Sequence, residues 1–138
     1  MRLFPLNRLE HIREKEAKIR QDLGEDISIE YYEGVPGRTD PPYSKPIYLP
    51  ENIKIQVERS LVHWLTEVEI DEMEVGFLKI GDCRILSDYN SRTYFENCQQ
   101  NKFKITTSDG IKLRAKTIHP SSMKTQVIVF CNRVLHGQ

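Results

Sequence analysis

The stretch that decides the fold is FKITTSDGIKLRAKTI, residues 103–118. It contains two runs in which apolar and polar residues alternate, and such alternation is typical of β-strands with one buried face. Asp109-Gly110 separates the two runs. An Asp-Gly pair in this position predicts a β-hairpin with a type I′ turn, because glycine accepts the positive φ that the turn requires. The stretch therefore predicts antiparallel strands.

Alternating patterns elsewhere extend the prediction of strands. Residues 26–33 alternate, and so do residues 53–70, where the apolar phase changes near residues 58–60. Because a change of phase turns side chains to the other face of a sheet, we expect 53–70 to form one long bent strand, or two strands that meet at a corner. Two short strands are predicted in 74–86, and a buried, β-branched strand in 125–134.

The N-terminal part of the chain has a helical pattern instead. In residues 6–23 the apolar residues recur at a spacing close to the helical period, and Gly24 follows as a helix stop. Residues 1–24 are therefore predicted to be a charged helix that lies on a surface. Residues 34–46, GVPGRTDPPYSKP, hold four prolines and two glycines. We expect a long loop there, without strand or helix.

Length and composition are those of one folded domain. The chain has 138 residues, of which 38% are hydrophobic and 29% charged. No apolar run approaches the roughly 20 residues that span a bilayer, and the N-terminus lacks the apolar core of a signal peptide. We expect no membrane partner and a chain that stays in the cytoplasm where it is made. The predicted fold is mainly β, a small antiparallel β-barrel or sandwich over residues 25–138, behind the N-terminal helix.

The sequence shows no catalytic constellation. The four histidines are scattered, the chain has no GxSxG, P-loop or dinucleotide-binding phrase, and Cys83, Cys98 and Cys131 have no CxxC spacing. We therefore predict that the chain is not an enzyme, that it holds no cofactor and no metal, and that its thiols are reduced. A small hydrolase with a metal on the acidic residues 67–74 remains an alternative, although alternation with Val68 and Ile70 favours a solvated strand face.

Charge is unevenly distributed along a chain whose net charge is zero. Residues 67–74 are acidic and contain no basic residue, whereas basic residues dominate after residue 102. Opposite charges on one neutral chain indicate a self-complementary fold or head-to-tail contact between copies. The candidate subunit-interface residues are Glu67, Glu69 and Asp71 on the acidic side and Lys112, Arg114 and Lys116 on the basic side.

The three basic residues of the hairpin have two interpretations. They alternate with Ile111, Leu113 and Ala115. They can form a solvated face that protects a sheet edge, since exposed lysines discourage edge-to-edge pairing. They can also form an electrostatic surface for phosphate or for an acidic protein. Few stacking aromatics accompany them, so specific readout of a nucleic acid is not expected.

The order of these features resembles the small neck proteins of tailed bacteriophages, the head-closure or stopper subunits between the portal–adaptor complex and the tail. A charged helix precedes GEDISIEYY; the Pro/Gly loop, the long alternating strand IKIQVERSLVHWL and GFLKIGDCRIL follow, and a hairpin and a final strand end the chain. A phrase G-x-x-x-x-GD-x-x-φ is typical of the middle of the barrel in that family. Gly76, Gly81 and Asp82 match it. The likeness covers most of residues 8–135, and SDYNSRTYFENCQQNKF, residues 87–103, departs from the family pattern.

The resemblance implies a structural virion protein rather than a catalyst. It implies a twelvefold ring of identical subunits around the DNA channel, in contact with portal or adaptor and tail proteins, with DNA passing through unread. The ring would close the filled head and dock the tail, and Gly37, Arg38, Asp40 and Tyr43 would form its docking or plug loop. An adaptor or tail-terminator ring is an alternative position. An OB-like module that binds nucleic acid is the alternative function.

Overall fold

The computed structural model describes residues 6–38, 45–73 and 76–135. Its helices are α1 (Leu6–Leu23), α2 (Glu67–Met73) and α3 (Arg92–Gln100), with 3₁₀ turns at Pro50–Asn52 and Tyr89–Ser91. Its strands are β1 (Glu25–Tyr32), β2 (Gly37–Arg38), β3 (Pro46–Ile47), β4 (Ile53–Trp64), β5 (Cys83–Asp88), β6 (Ile105–Thr106), β7 (Lys112–Pro120) and β8 (Gln126–Arg133).

Six of these strands close into a barrel in the order β1-β4-β5-β8-β7-β6, and each neighbouring pair is antiparallel. The predicted fold class, mainly β with an N-terminal helix, is confirmed. Alternate strand residues fill the interior, as expected for a small barrel. α3 contributes Phe95 and Cys98, both fully buried, to the same core. The other buried apolar side chains of this core are Ile27, Ile29, Cys83, Ile85, Ile105, Leu113, Ala115, Val127, Val129 and Cys131.

The hairpin prediction is confirmed, but the predicted turn type is wrong. β6 and β7 pair antiparallel across the turn, with Ile105 opposite Leu113. Gly110 has a φ of +85°, whereas Asp109 is absent from the described residues with positive φ. A type I′ turn needs positive φ at both central residues. Thr107 instead accepts a backbone hydrogen bond from Gly110 and donates one to Ile111, which closes a longer loop with a single left-handed glycine.

The long strand predicted for residues 53–70 ends at Trp64, and the acidic segment beyond it is helix α2, so the prediction of a solvated strand face there is wrong. The physical reason is a capping box. The Thr66 hydroxyl accepts from the Glu69 backbone N–H at 3.3 Å, and the Glu69 carboxylate accepts from the Thr66 N–H at 3.0 Å. The pair satisfies amide donors at the helix start and outweighs the short run of alternation.

Three other predictions need correction. The first of the two short strands expected in 74–86 is absent from its described residues, where turns precede β5. The Pro/Gly loop contains a two-stranded ribbon, β2 and β3, in which Gly37 faces Ile47 and Arg38 faces Pro46. Only one helix was expected, whereas α2 and α3 are present as well. Pairing between β2 and β3 crosses the loop, so a local pattern does not reveal it.

α1 docks on the barrel through its last turns. Arg20 is buried and donates to Gln126 at 2.9 Å, and the Arg59 guanidinium donates to the carbonyl oxygens of Arg20 and Gln21 at 3.3 and 3.1 Å. Gly24 ends the helix as predicted, and its N–H donates to the Arg20 carbonyl at 2.9 Å. The helix therefore lies on the surface, as the sequence predicts, but polar side chains hold it there.

Candidate interaction surfaces

The acidic candidate residues lie on α2. Glu67 and Asp71 are exposed, whereas Glu69 is half-buried. The Glu69 carboxylate lies 2.8 and 2.9 Å from Nε2 of His63 and accepts from the Thr66 backbone and hydroxyl. The Thr66 backbone hydrogen bond, and then His63, lower the pKa of Glu69 from 4.5 to about 2. Glu69 therefore fixes the helix start, and α2 exposes three further acids to a partner: Glu67, Asp71 and Glu72.

The basic candidate residues lie on β7, where the alternation predicted from the sequence is present. Leu113 and Ala115 are buried, and Lys112 and Lys116 are exposed. Lys112 donates from Nζ to the Thr106 hydroxyl at 2.9 Å on the neighbouring strand. The β7–β8 register shifts between Ala115 and Thr117, so Lys116 is the extra residue of a β-bulge. A bulge re-aims the side chain it carries.

A basic groove of 390 Å³ lies beside this bulge and is lined by Gln99, Lys102, Phe103, Arg114, Ala115 and Lys116. Lys102 reaches it from the end of α3, where it has a left-handed φ of +58°. The Lys102 and Phe103 N–H groups donate to the Gln99 and Cys98 carbonyls at 3.1 and 2.9 Å. This double closure is the Schellman motif, in which glycine is the usual left-handed residue. The fold therefore brings three cations to one groove.

The candidate docking loop is described only at its two arms. Gly37 and Arg38 form β2 and are exposed, while Asp40 and Tyr43 lie outside the described residues. Its return arm is anchored by aromatic contacts, since the Tyr48 ring lies 5.2 Å from Tyr32 and 5.1 Å from Phe103. Phe103 also lines the basic groove. The anchor of the loop and the basic groove are thus neighbours.

Asn97 of α3 adds a second contact at the base of the docking loop. Its side-chain amide donates to the Tyr32 carbonyl at 2.9 Å, and its Oδ1 accepts from the Tyr32 N–H at 2.8 Å. The Tyr32 hydroxyl in turn accepts from the Leu49 N–H at 3.0 Å. One side chain therefore pairs both backbone groups of the last residue of β1, where the barrel ladder ends. This contact holds the start of the loop on α3.

The Gly81-Asp82 phrase has a structural role in this chain. Gly81 has a φ of +100°, and the Asp82 carboxylate is buried and accepts from the Lys79 and Arg133 backbone N–H groups and from the Asn132 amide, at 2.7 to 2.8 Å. Asn132 also donates to the Phe77 carbonyl at 2.8 Å. A carboxylate with several such donors fixes the turn before β5 onto β8.

The three cysteines are free, as predicted, and the structure buries all of them. Cys83 and Cys131 are directly opposite each other on β5 and β8. Desolvation raises the pKa of Cys98 to about 12. A hydrogen bond with Cys83, and then desolvation, raise the pKa of Cys131 well above its usual range. Thiols in this state are poor nucleophiles and poor ligands, so they serve as small core residues.

The predicted residues do not all converge on one site. No ion pair within residues 6–38, 45–73 and 76–135 joins α2 to β7. Nor does the described part of the chain contain a group of three His, Cys, Asp or Glu side chains that could hold a metal. Sequence reasoning missed Asn97 at the loop anchor and the contribution of α3 to the groove, because α3 itself was not predicted. A Tyr94, Phe95 and Cys98 spacing was the available signal for that helix.

None of the described helices is long and apolar enough to cross a membrane. Comparison of the chain with protein-family models, with curated proteins and with solved structures gave no match.

Proposed function

We propose that the chain is a structural subunit of the neck of a tailed bacteriophage, where identical copies form a ring that closes the DNA-filled head and docks the tail. The carrying observation is the division of charge between α2, which exposes Glu67 and Asp71, and β7, which exposes Lys112 and directs Arg114 and Lys116 to the basic groove. Because these charges are not paired with each other within the described chain, each is available to a neighbouring copy. Contact of α2 with β7 of the next copy is heterologous, and such a contact generates a ring when the rotation between copies closes.

The arrangement of the other surfaces supports the same proposal. The exposed ribbon β2–β3 lies between β1 and β4 in the chain, and the Tyr48 hydroxyl that follows it donates to Asn101 Oδ1, just past the end of α3, at 3.1 Å. An exposed segment with a fixed base suits docking against the adjacent portal, adaptor or tail ring. The resemblance in feature order adds the twelvefold symmetry and a channel through which DNA passes unread. Assembly would place the protein in the virion after synthesis in the host cytoplasm.

Immunogold labelling of purified virions tests the assignment directly. With an antibody against this chain, we expect label at the junction of head and tail and rings in electron micrographs of the neck. Label on the capsid shell or along the tail, or virions without the chain, would overturn the proposal. A map of the labelled neck also decides between the closure, adaptor and tail-terminator positions, since these rings occupy successive levels.

Charge reversal tests the contact between copies. Glu67→Lys with Asp71→Lys reverses α2, and Lys112→Glu, Arg114→Glu and Lys116→Glu reverse β7. Each set alone places like charges across the contact and should abolish the formation of tailed particles, whereas both sets in one chain should restore it. Lys15→Glu with Lys18→Glu on exposed α1 is the matched control. If a chain that carries only the α2 set or only the β7 set still forms tailed particles, the proposed charge contact between copies is wrong.

The basic groove favours one second candidate, an OB-like module that binds nucleic acid. Lys102, Arg114 and Lys116 meet there beside Phe103. This function predicts that the purified chain binds a labelled oligothymidine with an affinity that falls steeply as salt rises, because bound cations are released from the phosphates. Arg114→Ala with Lys116→Ala should flatten that salt dependence. If fluorescence anisotropy detects no binding at low salt, this candidate is excluded.

A further inference from the structure

β4 has an open edge along its first half. β1 pairs with residues 53–60, and β5 pairs only with residues 61–64. No strand in the described part of the chain pairs with the other edge of residues 53–59. The Arg59 side chain contacts the end of α1, where it donates to the Arg20 and Gln21 carbonyls. Residues 53–59 therefore present a row of backbone groups that no strand in the described part of the chain pairs with, and within this row the Val57 carbonyl accepts only a long bond of 3.5 Å from the Gln56 side-chain amide.

The alternation of hydrogen-bonded pairs along the β1–β4 ladder shows which residues of β4 have their backbone groups at the open edge. Glu33 donates to the Asn52 carbonyl at 2.8 Å, and this pair continues the β1–β4 register. Because hydrogen-bonded pairs alternate along an antiparallel ladder, the even-numbered residues of β4 direct their backbone groups to β1 and the odd-numbered ones to the other edge. Leu65 is also odd-numbered, and its N–H donates to the Asp82 carbonyl at 3.0 Å on the β5 side, as this alternation requires.

The same edge carries exposed apolar side chains. Lys54, Gln56 and Glu58 share the phase of the β1 residues that enter the core, so Ile55 and Val57 point outwards, where they are 64% and 56% exposed. Proteins usually protect such an edge with proline, bulges or several charges. Here the β1–β4 register runs without a shift over residues 53–60. Residues 53–59 contain no proline, and their charges at Lys54 and Glu58 have opposite signs, so a second copy of the strand can pair them. An edge of this kind with exposed apolar residues is a template for another strand.

We propose that the occupant of this edge is β4 of a second copy, which pairs antiparallel about a twofold axis at Gln56. The pairing places Lys54 opposite Glu58 of the other copy on one face, and Ile55 opposite Val57 on the other face. Cross-strand pairs of opposite charge and of β-branched residues are both stabilising. The strand is thus complementary to itself in charge and in apolar surface, as an isologous contact requires.

The backbone groups at the open edge restrict the register of the pairing. Only odd-numbered residues present backbone groups at the edge, so the numbers of two hydrogen-bonded partners must add to an even sum. If the second strand shifts by two residues to the next permitted register, Lys54 or Glu58 lies opposite Gln56 and the charge pairs are lost. In the proposed register Ile55 and Val57 exchange backbone hydrogen bonds, and the Lys54–Glu58 pair is of the non-hydrogen-bonded kind, in which side chains approach more closely. The Gln56 amide already donates to Glu58 at 2.9 Å, which orients that carboxylate near the axis.

The dimer goes beyond the neck function and does not depend on it. It uses the β4 edge, whereas the ring contact proposed above uses α2 and β7. A monomeric chain that still labels the neck would overturn the dimer alone, and a dimeric chain absent from virions would overturn the neck function alone.

Sedimentation velocity over a wide range of concentrations tests the dimer. We expect the unmodified chain to dimerise reversibly. Lys54→Glu and Glu58→Lys should each raise the dissociation constant by at least about tenfold, since like charges then face each other twice. An equimolar mixture of the two variants should form heterodimers, because both charge pairs are restored. Lys15→Glu on α1 makes the same charge change away from the edge and should leave dimerisation unchanged.

A backbone variant tests the edge itself. Val57→Pro removes an N–H that points to the open edge, and it leaves the β1 ladder intact because proline is tolerated on an edge. The variant should be monomeric with an unchanged far-UV circular dichroism spectrum. A monomeric unmodified chain at every concentration, a dimer unaffected by Val57→Pro, or a mixture of the charge variants that stays monomeric would each overturn the proposal.

Discussion

The Oδ1 atom of Asp82 accepts a hydrogen bond of 2.8 Å from the backbone N–H of Arg133, fifty-one residues further along the chain. Asp82 precedes β5 and Arg133 ends β8, so one carboxylate ties the entry of one strand to the exit of its neighbour. Its other oxygen accepts from Lys79 and Asn132. The Gly-Asp phrase of the sequence therefore acts by holding backbone donors at the end of the barrel.

Asp82→Ala should lower the free energy of unfolding by about 2 to 4 kcal/mol, because it leaves several donors without an acceptor in a buried turn. Asp71→Ala removes an exposed carboxylate of α2 and should change stability little. Urea unfolding followed by circular dichroism measures both. Equal midpoints for Asp82→Ala and Asp71→Ala would contradict a structural role for the phrase.

Gly24 allows α1 to approach β4. A Cβ at this position would lie 2.4 Å from the Arg20 carbonyl oxygen and 2.6 Å from that of Ser60. Gly24→Ala must therefore move the helix away from the strand, and we expect a loss of about 1 to 3 kcal/mol of stability. Gly76→Ala is the control, since nothing lies within 4 Å of its added Cβ. A Gly24→Ala variant whose melting temperature matches that of Gly76→Ala would show that the approach is not needed.

The sequence predicts the strands that have local alternation, because period-two burial is visible in neighbouring residues. It predicts the β6–β7 hairpin and the buried β8 for this reason. It misplaces residues 65–73, where a few alternating residues imitate a strand while Thr66 and Glu69 form a capping box. The box is present in the sequence as T-x-x-E at Thr66 and Glu69, and its two hydrogen bonds outweigh the short run of alternation.

Other features have no local signal. The ribbon of Gly37 with Ile47 and the bulge at Lys116 are set by partners distant in sequence. The basic groove joins Lys102 from α3 to Arg114 from β7, so it exists only once the barrel has closed. The exposure of Ile55 and Val57 is also invisible in the sequence. Their alternation predicts a buried phase, and the structure turns that phase outwards because the β1–β4 register sets Gln56 and Glu58 opposite the core residues Ile29 and Ile27.

Burial protects the three thiols from reagents. Cys83, Cys98 and Cys131 are fully buried, and desolvation raises the pKa of Cys98 to about 12, so little thiolate forms at neutral pH. We expect a coloured disulfide reagent to label none of them quickly in the folded chain and all three in urea. Fast labelling of one thiol in the folded chain would show that the barrel opens locally at that strand or helix.

The hydrogen bonds from Thr66 and His63 to the Glu69 carboxylate make the stability of α2 depend on pH in a defined direction. Its pKa is lowered in the fold from 4.5 to about 2, first by the Thr66 backbone hydrogen bond and then by His63. A group with a depressed folded pKa contributes its full stability above the unfolded pKa and loses it as the pH falls towards the folded pKa. The contribution should therefore be complete above pH 4.5 and disappear by about pH 2.

Glu69→Gln removes the charge and should destabilise the chain at neutral pH, and the difference from the unmodified chain should vanish near pH 2. Glu67→Gln changes an exposed acid on the same helix and serves as the control. Trp64 is the single tryptophan and adjoins His63, so its fluorescence during urea unfolding at several pH values reports on this region. A stability difference that persists unchanged down to pH 2 would contradict this role of Glu69, because an uncharged carboxyl no longer accepts the charge-assisted hydrogen bonds from Thr66 and His63 that lower its pKa.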